Sequence, residues 1–369
     1  MVLGLVVSNQ WLVRQLDVQN AFLHGFLTGD VYMKQPVGFV DLKYPNHVCK
    51  LPRSLYGLKL APRAWFKQFN DFLLHLRFQE SKCDYSLFVY KHNGVFLILL
   101  IYVDDILVTG NNSSQVMVLI QRLGKLFSMK DLGRLNYFLG IEATYVGSTQ
   151  KKYAYDLLTR TGFANSKPIS TPCISSQKLS LHCGEPLGDP SEYRQVVGAL
   201  QYLTITRPDL FYAVNQVCQF LHSPTTVHWQ AVKRILRYLK ATYDHGLRYQ
   251  PSKLELNAYS DADYVGDPNV RHSTGGFCVY FGFNLISWSS KKRKTVSRSS
   301  TEVEYKQLAY TAAGYAPYSE ICIRHLFSSF LFSKDHSALG GAVRPRSDMD
   351  KSTEFLNLND SSLSFGSFE

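Results

Sequence analysis

The sequence predicts an α+β chain, and three observations predict it. From Ala61 the apolar residues Trp65, Phe69, Phe72, Leu73 and Leu76 recur at spacings of three and four, the period of a helix face. Two apolar, β-rich runs, 85–90 and 95–101, stand side by side with only a short break between them. Residues 256–290 then alternate as three short strands and give way to a helix from about residue 300.

In chain order, residues 1–24 read as a short helix or strand leading into Leu16-Asp17-Val18-Gln19-Asn20-Ala21-Phe22. Residues 31–60 are turn-rich, punctuated by Pro36, Gly38, Pro45, Pro52 and Gly57, with Pro62 just beyond. The helix from Ala61 follows, then the two apolar runs, then a strand at 106–109 and the loop Gly110-Asn111-Asn112-Ser113-Ser114. Residues 115–127 predict a second amphipathic helix and 135–145 a strand. The Ser/Pro/Gly-rich span 165–190 predicts a loop and a boundary. Helices are expected at about 192–222 and 225–242; in the second, Val232, Ile235, Leu236 and Leu239 make an apolar face among Lys233, Arg234, Arg237 and Lys240. A further boundary falls near 250–255, and the Ser/Asp-rich stretch 340–369 has no period and is expected to be disordered. No internal repeat is present.

The 369 residues suffice for two or three domains, and 45% hydrophobic content excludes a disordered chain. Forty Lys and Arg exceed 29 Asp and Glu, a formal charge of +11, which suggests nucleic acid first and an anionic membrane second; a solvated basic surface is the plainer reading. Seven scattered cysteines without a C-x-x-C argue for a reducing compartment and against a zinc site. The run 94–101 is too short to span a bilayer, which takes about 20 residues. No signal-peptide layout opens the chain.

The sharpest feature is Tyr102-Val103-Asp104-Asp105, two adjacent carboxylates closing an apolar strand. Ionised carboxylates away from water need a partner. The plain reading is a hairpin tip built from turn-favouring residues. The chemical reading is a divalent-cation site: Mg²⁺ prefers carboxylate oxygen and leaves room for substrate phosphates, and paired ions clamp the attacking and leaving oxygens of a phosphoryl transfer. Such a site needs a further carboxylate, and Asp17, ending an apolar segment, offers one.

Taken together, Leu16 to Gly25, Ser54-Leu55-Tyr56-Gly57-Leu58-Lys59 with Ala61-Pro62-Arg63-Ala64-Trp65, and Tyr102-Val103-Asp104-Asp105 resemble the reverse transcriptase of copia-type LTR retrotransposons. So do Asp131-Leu132-Gly133 with Tyr137-Phe138-Leu139-Gly140-Ile141-Glu142, Gly198-Ala199-Leu200-Gln201-Tyr202-Leu203 with Thr206-Arg207-Pro208-Asp209, and Lys233 to Lys240. The resemblance runs from about residue 5 to about 312. It implies a reverse-transcriptase palm over 1–147 without its N-terminal fingers, a helical thumb or connection region over 148–254, a partial RNase H-like α/β domain over 255–338, and a tail, 339–369. It implies Asp17, Asp104 and Asp105 as a catalytic triad on two Mg²⁺, with Mn²⁺ as a substitute. Phe22 would exclude a 2′-hydroxyl, with Tyr56, Gly57, Lys59 and Tyr102 lining the nucleotide pocket. Read alone, Phe22 is ordinary core and Tyr56 a turn aromatic. The implied partners are an RNA template, a DNA primer, an RNA–DNA hybrid and deoxynucleoside triphosphates, and the implied location is a cytoplasmic retroelement particle or the nucleus.

A second carboxylate set follows. Asp261 lies on an alternating strand in Ala258-Tyr259-Ser260-Asp261-Ala262-Asp263, and Ser299-Ser300-Thr301-Glu302-Val303-Glu304 opens a helix. Acids in a first turn are favoured as caps, and Glu302 is assigned that role. The resemblance implies Asp261 and Glu304 as metal-holding, catalytic acids of an RNase H domain. Lys291, Lys292, Arg293, Lys294 and Arg298 precede that helix and are read as phosphate contacts, against the alternative of a solvated basic loop.

Departures temper the expected activity. The family's fingers precede the Asp17 box, which here lies close to Met1, so little or no polymerase activity is expected, since positioning and charge neutralisation carry phosphoryl transfer. The RNase H likeness fades after Ala312, with Asp335 at a plausible distance for a third acid and no fourth in 340–369. Leu60 replaces a usual polar residue, the connection near Gly147–Lys152 is short, and protease and integrase segments are absent. Two rivals follow: a non-catalytic nucleic-acid-binding remnant, and a product that aggregates through an exposed 94–101 strand.

Overall fold

The computed structural model describes residues 1–144, 147–174, 178–322 and 343–345. They gather into two compact units: Asn9–Leu135, and Met1–Ser8 joined to the residues from Asn136 onward. Helix α1 (Val2–Asn9) opens the chain.

The Asn9–Leu135 unit contains β1 (Val13–Val18), α2 (Ala21–His24), β2 (Tyr32–Lys34), β3 (Val48–Lys50), α3 (Ala61–His75), β4 (Gln79–Glu80), β5 (Leu87–His92), β6 (Val95–Tyr102), β7 (Asp105–Gly110), α4 (Ser113–Phe127) and β8 (Met129–Arg134). Six strands form one antiparallel sheet in the order β4-β5-β6-β7-β1-β8. Strand β1 thus enters between β7 and β8, a long-range insertion that no local period announces. The turn-rich 31–60 stretch contributes the small β2–β3 ribbon.

Helix α3 begins with Pro62 in its first turn, where the missing N–H costs nothing. Its residues Trp65, Phe69 and Leu73 repeat every four and are buried. Helix α4 is capped by Asn112, whose side chain accepts the Gln115 N–H at 3.0 Å. It buries Val116, Leu119, Ile120, Leu123 and Phe127. Both helices share one core with Leu16, Val18, Leu97, Leu99, Ile101, Ile106 and Val108 from the sheet. The exposure expected of strand 94–101 is not found: β6 is an interior strand, and Phe96 to Leu99 and Ile101 are buried. Pairing on both edges and a helix layer remove it from water.

The second unit continues with β9 (Tyr137–Phe138), β10 (Ile141–Thr144), β11 (Gly147–Thr149), α5 (Lys151–Arg160), α6 (Ser191–Leu203), α7 (Pro208–Cys218), α8 (Thr226–Ala241), β12 (Gly246–Arg248), β13 (Leu256–Ala262), β14 (Thr274–Phe281), β15 (Asn284–Lys292), α9 (Ser300–Ile321) and β16 (Val343–Pro345). The strand expected at 135–145 is a hairpin instead. Leu139 and Gly140 both have positive φ, 53° and 76°, and reverse the chain between β9 and β10.

The single helix expected at 192–222 is two. Pro208 has no N–H to donate and disfavours helical geometry at Arg207, whose φ and ψ are −125° and 76°. The break places Arg207 and Asp209 in the interior. The Arg207 guanidinium donates to both Asp209 carboxylate oxygens at 2.9 and 2.7 Å, and to the Thr242 carbonyl and hydroxyl at 2.7 and 2.6 Å. The Tyr238 hydroxyl donates to Asp209 at 2.9 Å. Burial raises the Asp209 pKa, but the paired guanidinium and the tyrosine hydroxyl outweigh it and hold the carboxyl below its usual range. Two of the quoted motifs, Thr206–Asp209 and Lys233–Lys240, therefore meet in one buried ion network. A third, Gly198–Leu203, joins the hairpin, since the Tyr202 hydroxyl donates to the Leu139 carbonyl at 3.2 Å.

Strands β15-β14-β13 form an antiparallel sheet extended by β16, which runs parallel to β13. That strand lies within the tail expected to be disordered; the rest of the tail, and Asp335, fall outside the described residues.

Candidate active site

Strand alternation sorts β1 into two faces. Leu16 and Val18 enter the core, so Gln15 and Asp17 point to the opposite side. Asp17 is the cross-strand partner of Asp105 on β7, and directly opposed residues project to one side within about 5 Å of each other. Asp104 occupies the turn, with its carbonyl accepting the Val18 N–H at 2.9 Å. Burial pushes the Asp105 pKa up, and the neighbouring Asp104 and Asp17 carboxylates push the same way; a hydrogen bond from the Gln15 side chain opposes them. The charges of Asp17 and Asp104 are therefore felt at Asp105.

The segments that follow Asp17 and precede α3 pack on one another. Phe22 packs on Tyr56 with ring centroids 4.8 Å apart. The Ser54 hydroxyl donates to the Phe22 carbonyl, and the Ser54 N–H donates to the Gly25 carbonyl at 2.9 Å. A Cβ at Gly25 would stand 2.7 Å from the Trp65 nitrogen, so the α2 segment and α3 approach too closely for any side chain. Tyr56, Gly57, Lys59 and Tyr102 are exposed, and Gly57 has a φ of +91° that suits glycine. Asp131, beside this region in sequence order, pairs with Arg14 across β1 and β8.

In the second unit, Asp261 on β13 lies opposite Gly276 of β14. Burial raises the Glu304 pKa, and the Asp261 carboxylate adds to it, so the helix acid on α9 lies within electrostatic reach of the strand acid on β13. Asp263, just past the strand, closes the following loop by accepting the Thr274 N–H. Glu302 caps α9: it accepts the Arg298 N–H at 2.7 Å and pairs with Lys306 at 2.6 Å. The basic cluster is split. Lys292 pairs with Asp267, and Arg293 lies 4.0 Å over the Tyr310 ring while donating to Gln307. Lys291, Lys294 and Arg298 are exposed. Among the described residues no group of three or more His, Cys, Asp or Glu side chains is close enough to hold a metal ion.

A model of the reverse transcriptase (RNA-dependent DNA polymerase) family matches residues 1–175. The retrovirus-related Pol polyprotein from transposon RE1 of Arabidopsis thaliana is 52% identical over 317 residues, 85% of this chain and 22% of that protein. The chain belongs to the copia-type retrotransposon Pol family. It spans about a fifth of the length of the Arabidopsis polyprotein relatives, 22% in each. A putative transposon Ty5-1 protein of Saccharomyces cerevisiae is 33% identical over 298 residues, 79% of this chain and 97% of that protein. An uncharacterized mitochondrial protein of Arabidopsis thaliana is 50% identical over 220 residues, 58% of this chain and 91% of that protein.

Within this Pol chain, sequence reasoning missed Gln15, Ser54 and the polar role of Trp65. Gln15 is one of several polar residues on β1 with no motif to mark it, and Trp65 was fully explained by the helical period of α3. Among the described residues no helix is long and apolar enough to cross a membrane.

Proposed function

We propose that this chain holds the carboxylate site of RNA-templated DNA synthesis at Asp17, Asp104 and Asp105, with that activity strongly reduced, and the site for hydrolysis of the RNA strand of a hybrid at Asp261 and Glu304. The observation that carries the first assignment is the register pairing of Asp17 with Asp105, beside Asp104 in the turn. Phe22, braced by Tyr56, supplies a wall for the sugar of an incoming deoxynucleoside triphosphate, with Tyr56, Gly57, Lys59 and Tyr102 around it.

The acids fit Mg²⁺ or Mn²⁺. Their oxygens are hard donors, and burial first, then the neighbouring Asp104 and Asp17 carboxylates, disfavour the charged form of Asp105, which a bound cation would favour. Mg²⁺ is ordinarily held by one or two carboxylates completed by substrate phosphate and water, so a strand pair suffices without a closed cage. Bound there, divalent ions stabilise charge on the transferring phosphoryl group. The chain's own part is orientation: Gln15 fixes Asp105, and the Val18 N–H fixes the turn at Asp104. In the second unit, exposed Lys291, Lys294 and Arg298 are free of the ion pair that occupies Lys292 and would meet backbone phosphates of template, primer or hybrid.

The test is primer extension on an RNA template with Mg²⁺, together with cleavage of a labelled RNA–DNA hybrid. Extension removed by Asp104→Asn and cleavage removed by Asp261→Asn support the assignment; unchanged product from either variant refutes it. Salt-sensitive hybrid binding with neither activity would instead mark a non-catalytic remnant.

A further inference from the structure

The connection between β6 and β7 has two residues, Val103 and Asp104, since Tyr102 pairs with Asp105. Val103 has a φ of +58°, and Asp104 is not among the residues with positive φ. That is the pattern of a II′ hairpin, whose first central position is ordinarily glycine. A β-branched residue there is strained and persists only if its surroundings hold it.

One group holds it directly. The Trp65 indole N–H donates to the Val103 carbonyl at 2.7 Å. Trp65 is 1% exposed, its ring packed against Phe69, Phe127 and His24. An indole has a single donor, and a buried one needs a partner. Its backbone is fixed as well, because the chain at Gly25 abuts the Trp65 nitrogen. The Val18 N–H takes the next carbonyl, that of Asp104. The turn is therefore clamped through both of its central carbonyls.

We infer that Trp65 is a positioning residue for the acidic hairpin: its indole hydrogen bond selects the strained turn that places Asp104 and Asp105 beside Asp17. Trp65 touches none of the reacting groups and acts through the turn. The inference rests on the reading of these acids as a divalent-cation site.

The experiment titrates Mn²⁺ into the full chain and follows free Mn²⁺ by its paramagnetic resonance signal. The proteins are the unmodified chain, Asp105→Asn, Trp65→Phe, and Trp65→Phe with Val103→Gly. Phenylalanine keeps the ring in the core and removes the donor. Trp65→Phe should melt as a single folded species and bind Mn²⁺ about tenfold more weakly, the effect of one lost hydrogen bond to a buried acceptor. Glycine adopts positive φ without strain, so adding Val103→Gly should restore most of that affinity. A role confined to core packing would not be rescued at residue 103. Unaltered binding by Trp65→Phe, or failure of the glycine rescue, overturns the inference. If Asp105→Asn binds Mn²⁺ like the unmodified chain, the cation-site reading itself fails. Should Trp65→Phe not fold, the indole ¹⁵N–¹H resonance of Trp65 in the unmodified chain decides. Slow exchange with broadening by Mn²⁺ supports the inference, and rapid exchange without broadening overturns it.

Discussion

Replacing Asp209 by leucine would leave the Arg207 guanidinium buried without its anion. Arg207 is 2% exposed and Asp209 9% at their side chains, and the pair is bidentate with Tyr238 and Thr242 as further partners. Removing one member of a buried pair costs about 3–5 kcal/mol, because the remaining charge stays desolvated. For a folding unit of this size each 1 kcal/mol moves the midpoint by roughly 2–4 °C, so Asp209→Leu should lower it by about 6–20 °C. The double change Asp209→Leu with Arg207→Met removes both charges and should recover most of the loss. The assay is thermal unfolding followed by circular dichroism at pH 7. A midpoint for Asp209→Leu within about 2 °C of the unmodified chain would refute the argument, as would a double variant less stable than the single. The pH dependence has a definite sign. The folded Asp209 pKa is depressed, so its stabilisation is present above the ordinary carboxylate value and disappears as pH falls through the lower folded value.

Three further outcomes follow from other sites. Asp105 titrates above its usual range, so its charged form opposes folding, and Asp105→Asn should raise the neutral-pH midpoint by about 1–3 °C while removing primer extension. His228 accepts the Thr225 N–H through Nδ1 at 3.0 Å and meets the Ser180 carbonyl through Nε2 at 3.1 Å, so it is held neutral and burial lowers its pKa. Its contribution is present above the ordinary histidine value and is lost as pH falls toward the folded one; a thermal midpoint that does not drop between about pH 6.5 and 5, or that drops equally in His228→Gln, would contradict this. Gly25→Ala forces a methyl against the backbone of Ala64 and Trp65, which cannot yield, and should cost about 1–3 kcal/mol by urea unfolding.

Local order was largely legible. The period of four in Trp65, Phe69 and Leu73 located α3, and the apolar runs around Asp104-Asp105 located the β6–β7 hairpin. The alternation at 256–290 located β13 to β15, and the capping role of Glu302 followed from its place in a first turn. Misreadings came where backbone chemistry overrode period. Pro208 split a continuous helical pattern, and paired left-handed residues at Leu139 and Gly140 folded one apparent strand into two. Lys292 and Arg293 read as members of one basic run, yet the fold gives each its own partner.

By itself the sequence determined which acids stand at the ends of apolar strands, because periodicity and turn chemistry act over a few residues. Only the tertiary structure decided that β1 slots between β7 and β8 and sets Asp17 against Asp105, that α9 brings Glu304 within electrostatic reach of Asp261 on β13, and that Trp65 reaches the Val103 carbonyl. Those pairings join residues tens of positions apart. They form through burial and hydrogen-bond satisfaction of the whole unit, which no window of neighbouring residues contains.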